Sequence, residues 1–475
     1  MSSRNQLFIG GVWRDGSTRV SGPIINPATE EPIGHVAHAT VADVHAAIQA
    51  AEEALPGWRE TTAERRACIL SGAADRIAAT VERAALELTR EQGKTLAESR
   101  AEYERAVETL RWHAGAVREA IKPRPAPDGP GMVAPEPIGV VGAFTPWNYP
   151  AVIVARKLAA ALAAGCSVVL KGAEETPSAA VLIVQALEDA GLPAGVVNLV
   201  FGDPSSISTA VLDSSSVRAF SFTGSTAVGK QLAERAARSL KRCVLELGGH
   251  APVLVFADAD LEAAVKAIVA YKFECAGQSC NAPSRIYVEQ PVYQEFVDRF
   301  AATARALRVG DGTEPSIDMG PMANPRRLEV MRRLIDDALA LGGRLIAGGE
   351  RMPRRGYFWP PSILVDVPET AALLSEEPFG PLVPILGFSS IDDVVARANL
   401  NPYGLAAYIF TSSSNTAAAV SSALAVGSVG INSLSGVPPD VGIAGTKESG
   451  YGYEGGRLGI EAFLNLKVVR KPWNM

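Results

Sequence analysis

Two of the chain's five cysteines stand five residues apart in "KFECAGQSCN" (272–281), and a glycine turn with small polar residues surrounds the second, Cys280. A thiol reacts as its thiolate, and a free cysteine titrates near pH ~8.5, so a reactive cysteine needs an activator. The usual one is imidazole, yet no histidine lies within 20 residues of Cys280 on either side. The cysteines (68, 166, 243, 275, 280) follow neither a disulfide framework nor a CxxC pattern, and the five histidines include no HExxH. A metal site is disfavoured on these spacings. A structural pair and a nucleophile activated by something other than imidazole both stay open.

Three other stretches carry groups of the right type. In "FTGSTAVGK" (222–230) a glycine turn leaves a strand and opens a helix, so the N–H groups of Ser225 and Thr226 can face a phosphate. The spacing is G-x-T-x-x-G (Gly224, Thr226, Gly229), which departs from the dinucleotide fingerprint and suits a ligand-free turn equally well. Glu246 in "VLELGGHAP" (244–252) lies 22 residues past Gly224, the distance at which that fingerprint places a ribose-binding acid. Its bland alternative is a surface carboxylate at a turn. "TPWNYP" (145–150) sets the amide of Asn148 between Trp147 and Tyr149 at a strand end; alone, a turn asparagine among core aromatics is the better account.

These groups need a scaffold. Residues 40–121 read mostly as helices: Thr40 with Asp43 caps a run that Pro56 is expected to stop near Leu55. In 97–120, Tyr103, Val107, Leu110, Ala114 and Val117 share one helical face, leaving Glu98, Arg105, Glu108 and Arg111 on a solvated side. The Pro- and Gly-rich 122–136 reads as an extended arm. From 138 onward, short apolar strands at 138–144, 167–171, 195–200, 217–222 and 243–247 alternate with helices. A second series follows, with strands at 252–256, 285–288, 362–367, 406–410 and 427–432, and a strand-like 460–469 near the end. This pattern predicts an α/β protein of two lobes, each a doubly wound, mostly parallel sheet.

At 475 residues, with 47% hydrophobic and 20% charged residues, the chain has enough material for several domains. A net charge of −6 spread along it offers no reason to expect nucleic acid or an anionic membrane as partner. The start lacks the pattern of a signal peptide, and the most apolar segment, 151–170, carries Arg156 and Lys157. A cytoplasmic protein without membrane span is the expectation.

"TPWNYP", "FTGSTAVG", "LELGG", "GQSC" and "EEPFGP" (376–381), in this order, resemble the aldehyde dehydrogenase superfamily, and the similarity runs from about residue 7 to 469. The resemblance implies NAD(P)+-dependent oxidation of an aldehyde to an acid through a cysteine thiohemiacetal and thioester. By it, Cys280 is the nucleophile, Asn148 the oxyanion donor and Glu246 the base for thioester hydrolysis, and hence not the ribose acid. Lys171 and Glu174 in "KGAEETP" would hold the adenosine ribose; Glu377 and Phe379 would seat the nicotinamide end, with Trp147 and the 224–229 turn completing the cofactor site. Glu174 favours NAD+, with NADP+ the disfavoured alternative, since a carboxylate repels a 2′-phosphate. Cys275 is read as a small packing residue.

The family's domains would fall at 1–117 with 138–248 (cofactor-binding), 249–456 (catalytic), and 118–137 with 457–475 (an oligomerisation arm giving a homodimer or homotetramer). Gly172, His250, Cys275 and "GIAGTK" (442–447) depart from the common pattern. The last lies where the substrate tunnel opens in this fold. The texture is similar to the succinate-semialdehyde branch, where Arg156 and a second arginine grip a carboxylate, but the second position here is Glu274. An Arg156–Glu274 ion pair is as compatible with the sequence as substrate binding. A small semialdehyde or other polar aldehyde is the expected substrate. The alternatives are a CoA-acylating enzyme, whose branches generally lack Glu246, and a non-catalytic relative.

Overall fold

The computed structural model describes residues 4–126, 131–434 and 437–470. Residues 127–130 of the expected arm, and the first three and last five residues included in the expected domain bounds, lie outside the described residues.

The first sheet has five parallel strands at its centre. Their spatial order is Arg242–Glu246, Val217–Thr223, Val140–Phe144, Ser167–Lys171 and Val197–Val200. Antiparallel edges are added by Gly450–Tyr451 on one side and by Leu7–Ile9 with Val12–Arg14 on the other. The parallel series starts in the middle, at Val140–Phe144, and winds outward first to one side and then to the other, so the order reverses between Val140–Phe144 and Val217–Thr223. Ligands bind outside the carboxyl ends of strands at such a reversal, because the two helices that follow diverge to opposite faces and leave a crevice.

The second sheet runs Arg344–Ala347, Ser362–Val365, Leu382–Phe388, Pro283–Glu289, Ala251–Val255, Ala406–Phe410 and Ser428–Ile431, parallel except at the first pair. Each sheet has its own apolar core. One draws on residues 7–247 and 460–464, the other on 251–424. A separate three-stranded sheet pairs Leu464–Arg470 with Gly131–Pro137 along seven residues, and Gly131–Pro137 with Arg124–Pro125.

Several expectations change. The capping box at Thr40 and Asp43 is present, but the helix runs from Val41 to Glu60, through Pro56. The hydrogen bond that Pro56 cannot make is the one to the carbonyl of Glu52, an exposed residue, while buried Trp58 anchors the final turn. The expected strand at 460–469 begins only at Leu464, because Gly456–Glu461 is a short helix. The helix Leu96–Ala120 buries its stripe as expected, packed on the helices Ala63–Ala78 and Pro150–Ala164. Glu98 is not on a solvated side. It closes a capping box with Thr95, and its other oxygen accepts the N–H of Cys275 at 2.9 Å.

Candidate active site

The residues expected to act lie at the carboxyl edge of the first sheet, where it meets the second. The strand Val140–Phe144 ends in the turn that holds Asn148 and then the helix Pro150–Ala164. Val217–Thr223 ends in Gly224 and Ser225 before the helix Thr226–Ala237. Glu246 closes Arg242–Glu246, and the chain then crosses through Leu247–His250 into Ala251–Val255 of the second sheet. Cys280 follows the helix Leu261–Phe273 and a single tight turn, Glu274–Gly277. A cavity of about 670 Å³ is lined by Trp147, Asn148, Gly224, Ser225, Glu246, Cys280, Glu377 and Phe379, and also by Arg105, Tyr149, Arg156, Tyr271, Glu274 and Ile443. Lys171, Glu174, Thr226 and Gly229 sit on the same edge of the sheet but outside this lining.

Cys280 is partly open to the cavity, and its thiol is pushed up to about 12, first by burial and then by the carboxylates Glu377 and Glu246. Its own N–H and Arg156 act in the opposite direction and are outweighed. The protein's own groups therefore do not by themselves bias this sulfur toward thiolate. A cation bound in the cavity would favour the thiolate.

Asn148 is 5% exposed, and its amide Nδ2 donates to the carbonyl of Gln278 at 2.9 Å. An amide nitrogen carries two hydrogens, so one remains for an oxygen bound beside Cys280. Glu246 is 7% exposed, which removes the surface-carboxylate alternative. Its Oε1 has no hydrogen-bond partner among the described residues. Burial and then the charge of Glu454 push its carboxyl up to about 8, against the opposing pull of Lys157 and Arg156. A carboxylate that titrates near the working pH is suited to take a proton from water.

The remaining expected residues form a second cluster. Lys171 and Glu174 pair at 2.7 Å, and the other oxygen of Glu174 accepts the N–H of Gly202 at 2.8 Å. Ser225 caps the helix Thr226–Ala237. A Cβ at Gly229 would lie 2.3 Å from the side chain of Leu247, which would have to move to admit it. Glu377 accepts the N–H of Gly249 at 3.0 Å, and burial pushes its carboxyl up to about 7. The rings of Trp147 and Phe379 meet edge-on at 5.6 Å, and Phe379 holds a left-handed φ of 43°. Gly249 is constrained more tightly than Gly229, because it meets main chain: a Cβ there would stand 2.0 Å from the carbonyl oxygen of Cys280.

Elsewhere in the cavity lining one pairing is corrected. Glu274 pairs with Arg105 at 3.5 Å and accepts from the hydroxyl of Tyr149 at 3.2 Å, and not with Arg156. Arg156 has no ion pair or hydrogen bond among the described residues. Arg105, Tyr149 and Tyr271 were not foreseen here. Arg105 shows only as an off-stripe charge of an amphipathic helix, and no local pattern ties it to residue 274. Tyr271 accepts from the amide of Asn281 at 2.7 Å, giving this part of the lining a polar wall. Cys275 is buried and receives a hydrogen bond from Gln92 at 3.1 Å, and all five cysteines are free. His250 is buried and lies outside the cavity lining, whereas Ile443 of the divergent 442–447 segment is part of it. Among the described residues no group of three or more His, Cys, Asp or Glu is placed to hold a metal ion, and no helix is long and apolar enough to cross a membrane.

A model described as the aldehyde dehydrogenase family matches residues 13–469. A 4-(hydroxymethyl)benzenesulfonate dehydrogenase of Comamonas testosteroni is 45% identical over 98% of this chain and 97% of its own. A succinate-semialdehyde dehydrogenase [NADP(+)] of Escherichia coli strain K12 is 39% identical over 98% of this chain and 97% of its own. The solved NAD+ complex of an aldehyde dehydrogenase from Bacillus cereus superposes with a TM-score of 0.97 at 33% identity, covering 99% of this chain and 97% of that one. The two-sheet architecture, the grouping of Asn148, Glu246 and Cys280, and the match over nearly the whole length agree: the chain belongs to the aldehyde dehydrogenase family.

Proposed function

We propose that the protein oxidises an aldehyde bearing an anionic group at its far end to the carboxylic acid, through a thioester on Cys280, with NAD+ as acceptor. The observation that carries this reading is a single cavity that holds Cys280, Asn148 and Glu246 together with Arg156, which has no ion pair among the described residues.

The residues present fit a dinucleotide. Lys171 and Glu174 would hold the adenosine ribose, the capped helix start at 224–229 the diphosphate, and Glu377, Phe379 and Trp147 the nicotinamide end. NAD+ supplies the hydride acceptor and the positive charge that Cys280 lacks in the protein alone. Glu174 opposes a 2′-phosphate, so NAD+ is preferred over NADP+.

Cys280 Sγ adds to the aldehyde carbonyl, and the resulting oxyanion is held by the free N–H of Asn148 with the backbone N–H of Cys280. A donor of this kind contributes roughly 3–4 kcal/mol to lowering the barrier. Loss of the carbonyl hydrogen with its electron pair leaves an acyl group on the sulfur. Glu246 then takes a proton from water, the hydroxide oxygen bonds to the acyl carbon, and the C–S bond breaks to release the acid and the Cys280 thiolate.

The named substrates of the two relatives carry a sulfonate or a carboxylate remote from the reacting carbon, in keeping with an unpaired arginine in the cavity lining. The division into a cofactor-binding domain (1–117 and 138–248) and a catalytic domain (249–456) belongs to the same reading and is supported by the two separate cores. The sheet of Gly131–Pro137 and Leu464–Arg470 would join subunits into a homodimer or homotetramer. Its edge strand leaves Leu466 and Val468 each 57% exposed, as an uncovered pairing edge does. Five free thiols accord with a cytoplasmic location.

A steady-state panel tests the proposal: succinate semialdehyde, 4-formylbenzenesulfonate, an aminoaldehyde, and neutral aliphatic and aromatic aldehydes, each with NAD+ and NADP+. The highest kcat/KM is expected for the two anions with NAD+. Equal values across the panel would overturn the charged pocket, and no reduced cofactor with any aldehyde would overturn the oxidation itself.

A further inference from the structure

Lys94 and Glu102 are fully buried and paired at 2.6 Å, behind the turn that carries Asn148. The reaction as laid out uses neither. A buried ion pair carries a large desolvation cost, and an apolar pair of similar size generally stabilises a fold as well or better, so stability alone does not account for it. Its contacts point elsewhere. Lys94 Nζ donates to the main-chain carbonyl of Asn148 at 2.6 Å and lies 3.9 Å from the centre of the Tyr149 ring. The second oxygen of Glu102 accepts the N–H groups of Ala151 at 2.7 Å and Val152 at 3.3 Å, in the first turn of Pro150–Ala164. The N-cap residue of that helix, Tyr149, makes no side-chain cap. The Lys94–Glu102 pair therefore grips both sides of the Tyr149 corner.

The same segment also holds the turn before the nucleophile. Glu98 accepts the N–H of Cys275, and Gln92 donates to its sulfur. Cys275 and Ala276 adopt left-handed φ values of 52° and 51°, which L-residues with a side chain avoid unless neighbours impose them. The turn ends at Gln278, whose carbonyl takes the amide of Asn148. The amide of Asn148 and the sulfur of Cys280 are thus set against each other from one support, residues 92–102.

We propose that Lys94, held by Glu102, is a positioning residue for the oxyanion donor: its ammonium fixes the Asn148 main chain so that the side-chain amide faces the carbon bound to Cys280. The proposal rests on the reaction proposed above. The donor's value depends on its placement, since a displacement of about 1 Å costs on the order of 100-fold in rate.

The test is a mutant cycle on the full chain: wild type, Asn148→Ala, the paired variant Lys94→Met/Glu102→Gln, and all three changes together. The paired variant removes both charges at once, leaving no buried charge alone, and the glutamine keeps an oxygen for Ala151 and Val152. The readouts are acylation of Cys280 by 4-nitrophenyl acetate without cofactor, followed by nitrophenolate release, and KM for NAD+ in aldehyde oxidation. Asn148→Ala and the paired variant are each expected to slow acylation by about 10- to 100-fold, and the combined variant to match Asn148→Ala within about twofold. KM for NAD+ is expected to stay unchanged. Multiplying losses in the combined variant would overturn the positioning role and leave the oxyanion role standing. Undiminished acylation in Asn148→Ala would overturn both. If the paired variant does not fold, Lys94→Arg replaces it in the same cycle: it keeps the ion pair but moves the donor off the Asn148 carbonyl, and the same non-additivity decides.

Discussion

Replacing Glu246 with glutamine, and titrating the wild type beside it, tests the hydrolytic half of the reaction. The carboxyl of Glu246 is pushed up to about 8 by burial and by Glu454. Its base form is the carboxylate, so hydrolysis is suppressed below that value and develops as pH rises through it. With a pKa of about 8, roughly a tenth of the chains carry the base at pH 7 and roughly nine tenths at pH 9, so hydrolysis should rise about tenfold between them. A carboxyl at the ordinary value would give a flat profile over this range. The assay is single-turnover release of acid from pre-formed acyl-enzyme after a pH jump; the sulfur is then esterified, so the thiol, itself displaced upward, does not contribute. Glu246→Gln should form about one NADH per chain and then stall, with hydrolysis about 100- to 10,000-fold slower and without the rise. A flat wild-type profile from pH 7 to 9, or an undiminished steady state in the variant, would refute the assignment.

Arg156→Met should lower kcat/KM for anionic aldehydes by about 10- to 150-fold and leave neutral aldehydes nearly unchanged, the loss of one charge-assisted contact. Because Arg156 also opposes the upward displacement of Glu246, the same variant should move the hydrolysis midpoint to higher pH. Glu274→Gln releases Arg105 from its ion pair and should raise kcat/KM for anionic aldehydes by about 3- to 10-fold, a modest gain because the pair is partly solvated. Glu174→Gln should lower KM for NADP+ by about tenfold while changing KM for NAD+ less, read from steady-state titrations with each cofactor.

The alternation of apolar strands and helices made both parallel sheets legible, because a strand buried on both faces reads as a continuous apolar run. Leu382–Phe388, a central strand of the second sheet, escaped that reading: Pro384 interrupts it, and its neighbour Pro283–Glu289 is distant in sequence. The antiparallel edges Leu7–Ile9, Val12–Arg14 and Gly450–Tyr451 are too short to carry a period. The helix Pro325–Ala340 also went unread, although its stripe of Leu328, Met331, Leu334, Ile335 and Ala338 is a regular amphipathic pattern.

At the site, Cys280, Asn148 and Glu246 were picked out by the family resemblance of the motifs that hold them; taken alone, the asparagine and the glutamate read as ordinary turn residues. What surrounds them was not picked out. The partner of Glu274 is Arg105, 169 residues away, and Lys94 reaches Asn148 across 54 residues. Such contacts are decided by the packing of Leu96–Ala120 on Pro150–Ala164, which no local pattern encodes. The balance at the sulfur was equally out of reach: burial and two carboxylates brought from distant segments outweigh its own N–H and Arg156 in the protein alone.

The most direct measurement is mass spectrometry of Glu246→Gln quenched during turnover with NAD+ and an aldehyde from the panel, the protein then cut and its peptides sequenced. One acyl group per chain should reside on the sulfur of Cys280, and none on Cys275, five residues before it. An acyl group on any other side chain, or NADH formed with no covalent adduct at all, would contradict the account.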